Sequence, residues 1–276
     1  ELELTHRNKI GEVGYNLKGI ATVTRQKYLT ASEKGPWANS YDRWRNDNLT
    51  NRYQGVQFGY TSAGRYTSWN DIWNYYGFKE RDVLPGDYKY EDWNGDGEIN
   101  GQDEHPFAFD QTPWLQFSLN AGLQWKNFDF NMLLQGSALG SMEYKEPLHE
   151  IWGKNGGGAL TQFLDRWHPV DPKADPYDPS TVWTSGHYAY TGRWAKNNSA
   201  FNRVSTAYLR LKSIELGYTF PKLKQIPNAS LRVYANAYNL LTFTGVKFVD
   251  PEHPDDDLGR MYPLNKTYTL GVSLSF

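Results

Sequence analysis

The stretch WLQFSLNAGLQWKNFDFNMLL, residues 114–134, decides the fold. Leu115, Phe117, Leu119, Ala121, Leu123 and Trp125 share one parity, and Gln116, Ser118, Asn120, Gly122 and Gln124 share the other. Side chains of a strand alternate between two faces, so this run is a strand with one apolar and one polar side. The alternation restarts after Lys126-Asn127 with Phe128, Phe130, Met132 and Leu134. Two intervening residues suffice for a tight antiparallel hairpin.

The same form recurs on both sides of this hairpin. Leu2 and Leu4 alternate before the polar segment Asn8-Lys9-Ile10-Gly11, and Tyr15, Leu17, Gly19, Ala21 and Val23 alternate after it. Leu209 and Leu211 have one parity, whereas Ile214, Leu216, Tyr218 and Phe220 have the other, which predicts a β-bulge near Lys212-Ser213. Pro221 to Asn228 then forms a turn before Leu231, Val233, Ala235 and Ala237. A last strand, Lys266 to Phe276, carries Tyr268, Leu270, Val272, Leu274 and Phe276 on one face.

The connections alternate as strictly as the side chains. They are short at 8–11, 126–127 and 221–228, and long at 27–113, 138–204 and 244–264. Short turns at one end and long loops at the other are the pattern of outer-membrane β-barrels, with the long loops extracellular and the turns periplasmic. A soluble sandwich has no reason for that asymmetry, and long structureless loops are uncommon in compact domains. The expected class is therefore all-β: an antiparallel transmembrane β-barrel segment. On this orientation the final strand runs inward and Phe276 is periplasmic. Barrels of this kind have an even number of strands, so seven strands of which the first already runs inward predict at least one more upstream.

Composition agrees without deciding. Net charge is −2, which gives no field for nucleic acid, and the absence of cysteine excludes disulfides and thiolate metal sites. Aromatics reach 16%, including 11 Trp and 20 Tyr. That suits interface girdles, sugar-stacking surfaces and β-cores alike. No apolar run approaches the ~20 residues of a membrane-spanning helix. The polar average does not argue against a barrel, whose lumen and loops are polar.

Several segments carry a family resemblance. They are Pro85-Gly86-Asp87-Tyr88-Lys89-Tyr90 running into Asp92-Trp93-Asn94-Gly95-Asp96-Gly97, then Tyr208-Leu209-Arg210-Leu211-Lys212, and Glu215-Leu216-Gly217-Tyr218-Thr219-Phe220-Pro221. Further on come Arg232-Val233-Tyr234, Asn239-Leu240-Leu241-Thr242-Phe243-Thr244, Asp250-Pro251-Glu252, and the ending Tyr262-Pro263 to Phe276; Gly59-Tyr60 before Gly64-Arg65-Tyr66 matches more loosely. In this order and spacing the chain resembles the SusC/RagA family of TonB-dependent transporters from Bacteroidetes outer membranes. Lys266 stands where that family more often has Arg before the closing Thr-Tyr-Thr. The resemblance implies that residues 1–276 form the closing strands of a barrel of roughly 22 strands, plugged by an N-terminal domain absent from these residues. It also implies nutrient import driven by the TonB complex, a SusD-like surface lipoprotein as partner, and an oligosaccharide or peptide as substrate.

One loop has metal-ligand spacing. Asp92-Trp93-Asn94-Gly95-Asp96-Gly97-Glu98-Ile99-Asn100-Gly101-Gln102-Asp103 matches a calcium loop with oxygen ligands at positions 1, 3, 5, 7, 9 and 12. Asp92, Asn94 and Asp96 supply side-chain oxygens, Glu98 its carbonyl, Asn100 a water-mediated contact, and Asp103 closes the loop. Gly97 occupies the sharp-turn position. Position 12 is Asp rather than bidentate Glu, as in dockerin-like loops. The expected role is structural, rigidifying an extracellular loop; an ion-free Asx-rich turn is the plainer alternative.

The long loops hold Trp37, Trp44, Trp69, Trp73, Trp152, Trp167, Trp183 and Trp194. Of these, Trp69, Trp73, Trp152 and Trp183 are the candidate substrate contacts, because indole faces stack on sugar rings. Most loop tryptophans are expected to be packing residues. Phe276 resembles the terminal aromatic signal read by the outer-membrane assembly machinery. The six histidines lack ligand spacing, the glycines of 153–158 lack a strand-to-helix frame, and Asp255-Asp256-Asp257 reads as a solvated loop. The chain is not expected to be an enzyme, since Glu1, Glu3, Glu12, Asp129 and Glu215 on the strands offer no evident catalytic pair. The competing class is a secreted carbohydrate-binding β-domain with a dockerin-like calcium loop, which predicts a soluble chain.

Overall fold

A computed structural model describes the chain except at residues 32–34, 48, 76–82, 146–147, 150–159, 193–194, 197, 222–228 and 253–261. Seven long strands form one antiparallel sheet: β1 Leu2–Ile10, β2 Val13–Val23, β3 Leu115–Trp125, β4 Phe128–Ala138, β5 Tyr208–Phe220, β6 Ser230–Thr244 and β7 Thr267–Ser275. Their spatial order is their order along the chain. Lengths of 9 to 15 residues reach or exceed the ~9–11 residues with which a tilted strand crosses a bilayer. No helix among the described residues is long and apolar enough to cross a membrane.

The register places like with like. Leu17 opposes Ala121, which opposes Met132; Met132 opposes Ile214, Ile214 opposes Ala237, and Ala237 opposes Tyr268. Directly paired residues share a face, so the apolar parities of all seven strands merge into one continuous apolar surface. Among the described residues nothing covers it. Leu270 is 86% exposed, Val272 69% and Leu4 64%. Soluble monomers rarely expose such a contiguous apolar face. At its short-turn end Trp125 stacks on Phe128 (6.0 Å), and Phe128 meets Tyr218 edge-on (4.7 Å), as aromatics do at a membrane interface.

The turns and the bulge follow from local chemistry. Lys126-Asn127 forms the predicted two-residue turn, with Lys126 at φ +53°. In the first hairpin Ile10 still pairs with Val13, so the turn is Gly11-Glu12 and lies later than the predicted 8–11. Gly11 sits at φ +59°, and the turn moves to where glycine tolerates that conformation. The predicted bulge is present: Lys212 is an extra residue against β4, and Asn239-Leu240 face Lys212 on the other side, with Asn239 at φ +52°. Most of the predicted turn Pro221 to Asn228 lies outside the described residues.

Among the described residues the buried apolar clusters lie in the loops, not in the sheet. Tyr66, Ile72 and Val83 cluster with Trp69 and Tyr75, and Phe163 packs on Tyr188. Short ribbons order these loops: Gln57–Gly59 with His105–Ala108, Ser62–Arg65 with Tyr88–Tyr90, and Ser141–Glu143 with Arg203–Ser205. The two longer loops are joined by a seam in which Tyr60 N–H donates to the Asn198 carbonyl (3.0 Å) and Ala200 N–H to the Tyr60 carbonyl (2.9 Å). The buried Asp87 accepts from Leu84 N–H (2.9 Å) in one loop and from the Thr191 hydroxyl (3.3 Å) in the other.

Candidate functional site

The polar face of the sheet carries paired charges toward its short-turn end. Arg232 on β6 reaches Asp129 on β4, with Nε 3.1 Å from Oδ1, and Glu215 on β5, with Nη2 2.6 Å from Oε1. Gly217 lies beneath them, and a Cβ there would fall 2.5 Å from Arg232 Nη2 and 2.6 Å from Asp129 Oδ1. The two carboxylates are thus held by one arginine and are not poised as an acid–base couple.

Toward the long-loop end, Arg210 on β5 is only 1% exposed. Its Nη2 is 2.5 Å from Asp250 Oδ2, its Nη1 2.6 Å from Glu252 Oε2, and its Nε donates to Thr242 Oγ1 at 3.0 Å. The Tyr208 hydroxyl donates to Glu252 Oε1 at 2.7 Å. Residues 250–252 are so drawn against the polar face. They border a cavity of about 560 Å³ whose wall includes Gln116, Ser118, Gln135, Ser137, Tyr208 and Glu252. Its amide and hydroxyl groups, with the one carboxylate already paired to Arg210, make it a surface for hydrogen-bonding, uncharged ligands. Arg210 was not among the candidate residues; its only sequence signal was its place in Tyr208-Leu209-Arg210-Leu211-Lys212.

The acidic loop folds on its own backbone. Asp92 Oδ1 accepts from Gly95 N–H (2.8 Å) and Asp96 N–H (3.2 Å), and its Oδ2 accepts from Gly97 N–H (2.8 Å). Asn94 Oδ1 accepts from Asp96 N–H, and Asp96 Oδ1 from Glu98 N–H. Gly95 and Gly97 take φ +75° and +85°, which only glycine adopts at no steric cost. Asp103 is fully buried and accepts from Trp93 N–H (3.0 Å) and Asn100 N–H (2.7 Å); Asn100 Oδ1 caps the turn Gly101–Asp103 through Gln102 N–H (2.8 Å). Burial pushes the Asp103 carboxyl above the usual carboxylate range, against the pull of those N–H donors. Among the described residues no group of three or more His, Asp or Glu gathers as a metal centre.

The four candidate tryptophans separate. Trp69 and Trp183 line one hollow between the two long loops. Trp73 stands beside Trp69, with ring centroids 6.0 Å apart, and is 65% exposed. Trp152 lies outside the described residues, as do Trp194, the glycines of 153–158 and Asp255-Asp256-Asp257. Trp167, outside the four candidates, borders the same hollow as Trp69 and Trp183. Trp93 is sandwiched between Trp44 (5.9 Å) and His105 (4.9 Å), so these rings are packing residues. Phe276 follows β7 and is 96% exposed.

One uncovered apolar face, one polar face and hairpins that are short at one end and long at the other define a wall of the type from which membrane β-barrels are made. No family model matches the chain. Among curated proteins it is similar to the TonB-dependent receptor P3 of Formosa agariphila, 28% identical over 211 residues, covering 71% of this chain and 19% of that protein. It is 27% identical over 239 residues to the TonB-dependent receptor P26 of the same organism, covering 81% of this chain and 22% of that protein. The TonB-dependent receptor SusC of Bacteroides thetaiotaomicron is 26% identical over 210 residues, covering 75% of this chain and 19% of SusC. In fold it matches a solved RagAB peptide transporter with a TM-score of 0.60 at 17% identity, over 99% of this chain and 28% of the transporter chain. The homologues of this chain are TonB-dependent receptors, SusC among them, and not enzymes, and the chain covers a partial C-terminal region of such proteins. It spans about a fifth of the length of those curated relatives.

Proposed function

We propose that the chain contributes wall and extracellular loops to a TonB-dependent transporter that imports a nutrient across the bacterial outer membrane. The observation that carries this reading is the two-faced sheet: an apolar surface continuous over seven strands, with a hydrogen-bonding cavity at the long-loop end of the other face. The apolar face meets lipid, the polar face lines the lumen, and the long loops lie outside with Phe276 at the periplasmic edge. Further strands on the edges of β1 and β7 complete a barrel of roughly 22 strands. A SusD-like lipoprotein covers the outer mouth, and energy comes from the TonB complex through an N-terminal plug of the parent protein, upstream of these residues. The substrate is an oligosaccharide, with peptide as the alternative; Trp69, Trp73, Trp152 and Trp183 are its candidate loop contacts.

The loop Asp92 to Asp103 is proposed as a structural calcium site. Its donors are all oxygen, and Asp92, Asn94 and Asp96 alternate along a turn that left-handed Gly95 and Gly97 allow, a ligand chemistry that suits a hard cation. Glu98, Asn100 and Asp103 complete the donor set. A weak site of this kind fills at the millimolar calcium of an extracellular setting.

Fractionation and uptake test the function together. The full-length protein should sediment with outer membranes and require detergent for extraction, and its deletion should abolish growth on one class of glycan or peptide. A full-length protein found in the soluble fraction overturns the reading. For the loop, Asp96→Ala should increase protease cleavage between residues 85 and 110 in calcium; cleavage identical with and without chelator removes the calcium site.

A further inference from the structure

The apolar face of β2 is capped by charge at its long-loop end. Its apolar residues run from Val13 to Val23. At ~3.3 Å per residue and ~40° of tilt they span ~25 Å, the height of a barrel's apolar band. The chain stays extended beyond Val23. Thr24 N–H donates to the Trp114 carbonyl (2.8 Å), Gln54 N–H to the Gln26 carbonyl (2.9 Å) and Tyr28 N–H to the Arg52 carbonyl (2.9 Å). Lys27 pairs directly with Tyr53. The alternation of faces therefore continues, and Arg25 and Lys27 share the face of Ala21 and Val23. They lie about 5 and 10 Å past the apolar band, level with lipid headgroups.

Arg25 is held in place there. Its guanidinium is wedged between two rings, with Cζ 3.4 Å from the Tyr53 centroid and 3.9 Å from that of Trp114. Trp114 is braced in turn by Phe109, edge-on at 4.8 Å. Lys27 Nζ lies 5.7 Å from the Tyr53 centroid. Stacking occupies the flat faces of a guanidinium and leaves the N–H groups at its edge to donate. Among the described residues neither side chain has a carboxylate or other hydrogen-bond acceptor. Nearby Arg52 differs, because its guanidinium donates to the Arg45 carbonyl (2.7 Å) and to that of Trp44. At the short-turn end Lys126 Nζ is 3.3 Å from Glu12 Oε2, so that cation is paired. Two unpaired cations at headgroup level, one a preset fork, match a phosphate, which a guanidinium grips through two oxygens at once.

We propose that Arg25 and Lys27, set by Tyr53 and Trp114, bind the phosphate of a glycolipid in the outer leaflet of the membrane. The bound lipid ties the outer end of β2 to the loop segment 50–54 that pairs with it. The site plays no part in import. It rests on the barrel reading and on the long loops lying outside, since that end of the sheet then meets the leaflet whose phosphates are carried by lipid A.

The test uses the full-length protein in detergent, titrated with lipid A in mixed micelles. Dephosphorylated lipid A, phosphatidylglycerol and sodium phosphate are the comparators. Native mass spectrometry reports binding, and thermal melts report folding. Lipid A should bind, and Arg25→Gln with Lys27→Gln should raise its Kd about tenfold or more. Removing the phosphate from the lipid should weaken binding to the parent as much. Tyr53→Leu keeps both charges but releases Arg25, so it should give a smaller rise and serves if the double variant fails to fold. Lys126→Gln, at the other end of the sheet, should change nothing. No binding of lipid A, an unchanged Kd in the folded variants, or equal binding of dephosphorylated lipid A overturns the proposal. So does binding of phosphatidylglycerol as tight as that of lipid A, or displacement of the lipid by about 10 mM free phosphate. Heat-modifiable migration on gels separates the two readings. A barrel whose lipid binding ignores both cations loses this site alone. Phosphate-dependent binding without heat-modifiable migration sinks the barrel and leaves the site.

Discussion

Arg210 holds loop structure to the sheet, and Gly59 lets one long loop close against the other. The Arg210 guanidinium spans two carboxylates that lie 40 and 42 residues away in the chain, which no local pattern could reveal. Arg210→Met should leave Asp250 and Glu252 facing a polar wall without a counter-charge. Both acids retain solvent access (25% and 39%), so the cost should be about 1–3 kcal/mol rather than that of a fully buried pair. Thermal unfolding in detergent measures it, and adding Glu252→Gln to Arg210→Met should recover part of the loss. Gly59 is a different case. A Cβ there would sit 1.7 Å from the Asn198 carbonyl oxygen, which is backbone and cannot rotate aside. Gly59→Ala should open the loop seam at about 1–3 kcal/mol, seen as new protease cuts near 57–61 and 196–200. The sequence marked Gly59-Tyr60 only as a loose family match; the need for glycine arises from a strand crossing made by tertiary structure.

Among the elements, the long strands and their bulge were legible because burial on one face imposes a period of two, and a break in parity has few other causes. The loop ribbons were not. Strands of two to four residues, such as His168–Pro169 and Trp183–Thr184, are too short to show periodicity. The acidic loop was legible as spacing, whereas its dense N–H contacts to Asp92 and Asp103 were not. Its pH response has a definite sign. Burial raises the Asp103 carboxyl in the folded loop relative to the unfolded chain. Protonation therefore favours the folded loop: the gain is complete below the unfolded value near 3.8 and is lost as pH rises through the raised folded value. Without calcium, hydrogen-exchange protection factors over 92–103, corrected for the intrinsic pH dependence of amide exchange, should be larger near pH 4 than near pH 7, and Asp103→Asn should flatten their pH profile. Bound calcium favours the ionised carboxyl and should reverse the trend. Larger protection factors at pH 7 than at pH 4 in chelator would contradict the assignment of Asp103 as the controlling group.

At the scale of the whole molecule, the sheet is a single layer with two kinds of surroundings, which is why its fold was readable and its core lay elsewhere. The two faces should tolerate opposite substitutions. Leu216→Arg, on the apolar face and 53% exposed, should cost about 2–4 kcal/mol at mid-membrane depth and block assembly. Gln116→Lys, on the polar face, should assemble normally. Heat-modifiable migration on gels reports both, and equal behaviour of the two would refute the assignment of faces. The candidate contacts were legible only as residue types. Spacing showed tryptophans in long loops, but which of them share a hollow depends on how two loops some hundred residues apart in sequence meet, as Trp69 and Trp183 do.

The seam from Tyr60 to Asn198 has an immunological corollary. Because residues from both long loops contribute to the same folded surface, the epitopes it presents are discontinuous. Antibodies raised against linear peptides from either loop should bind the denatured chain and miss the native one, and sera against the native protein should fail on blots. Antigenic variation by exchange of one loop alone would disturb the other, so the two loops should be inherited and recombined as a unit.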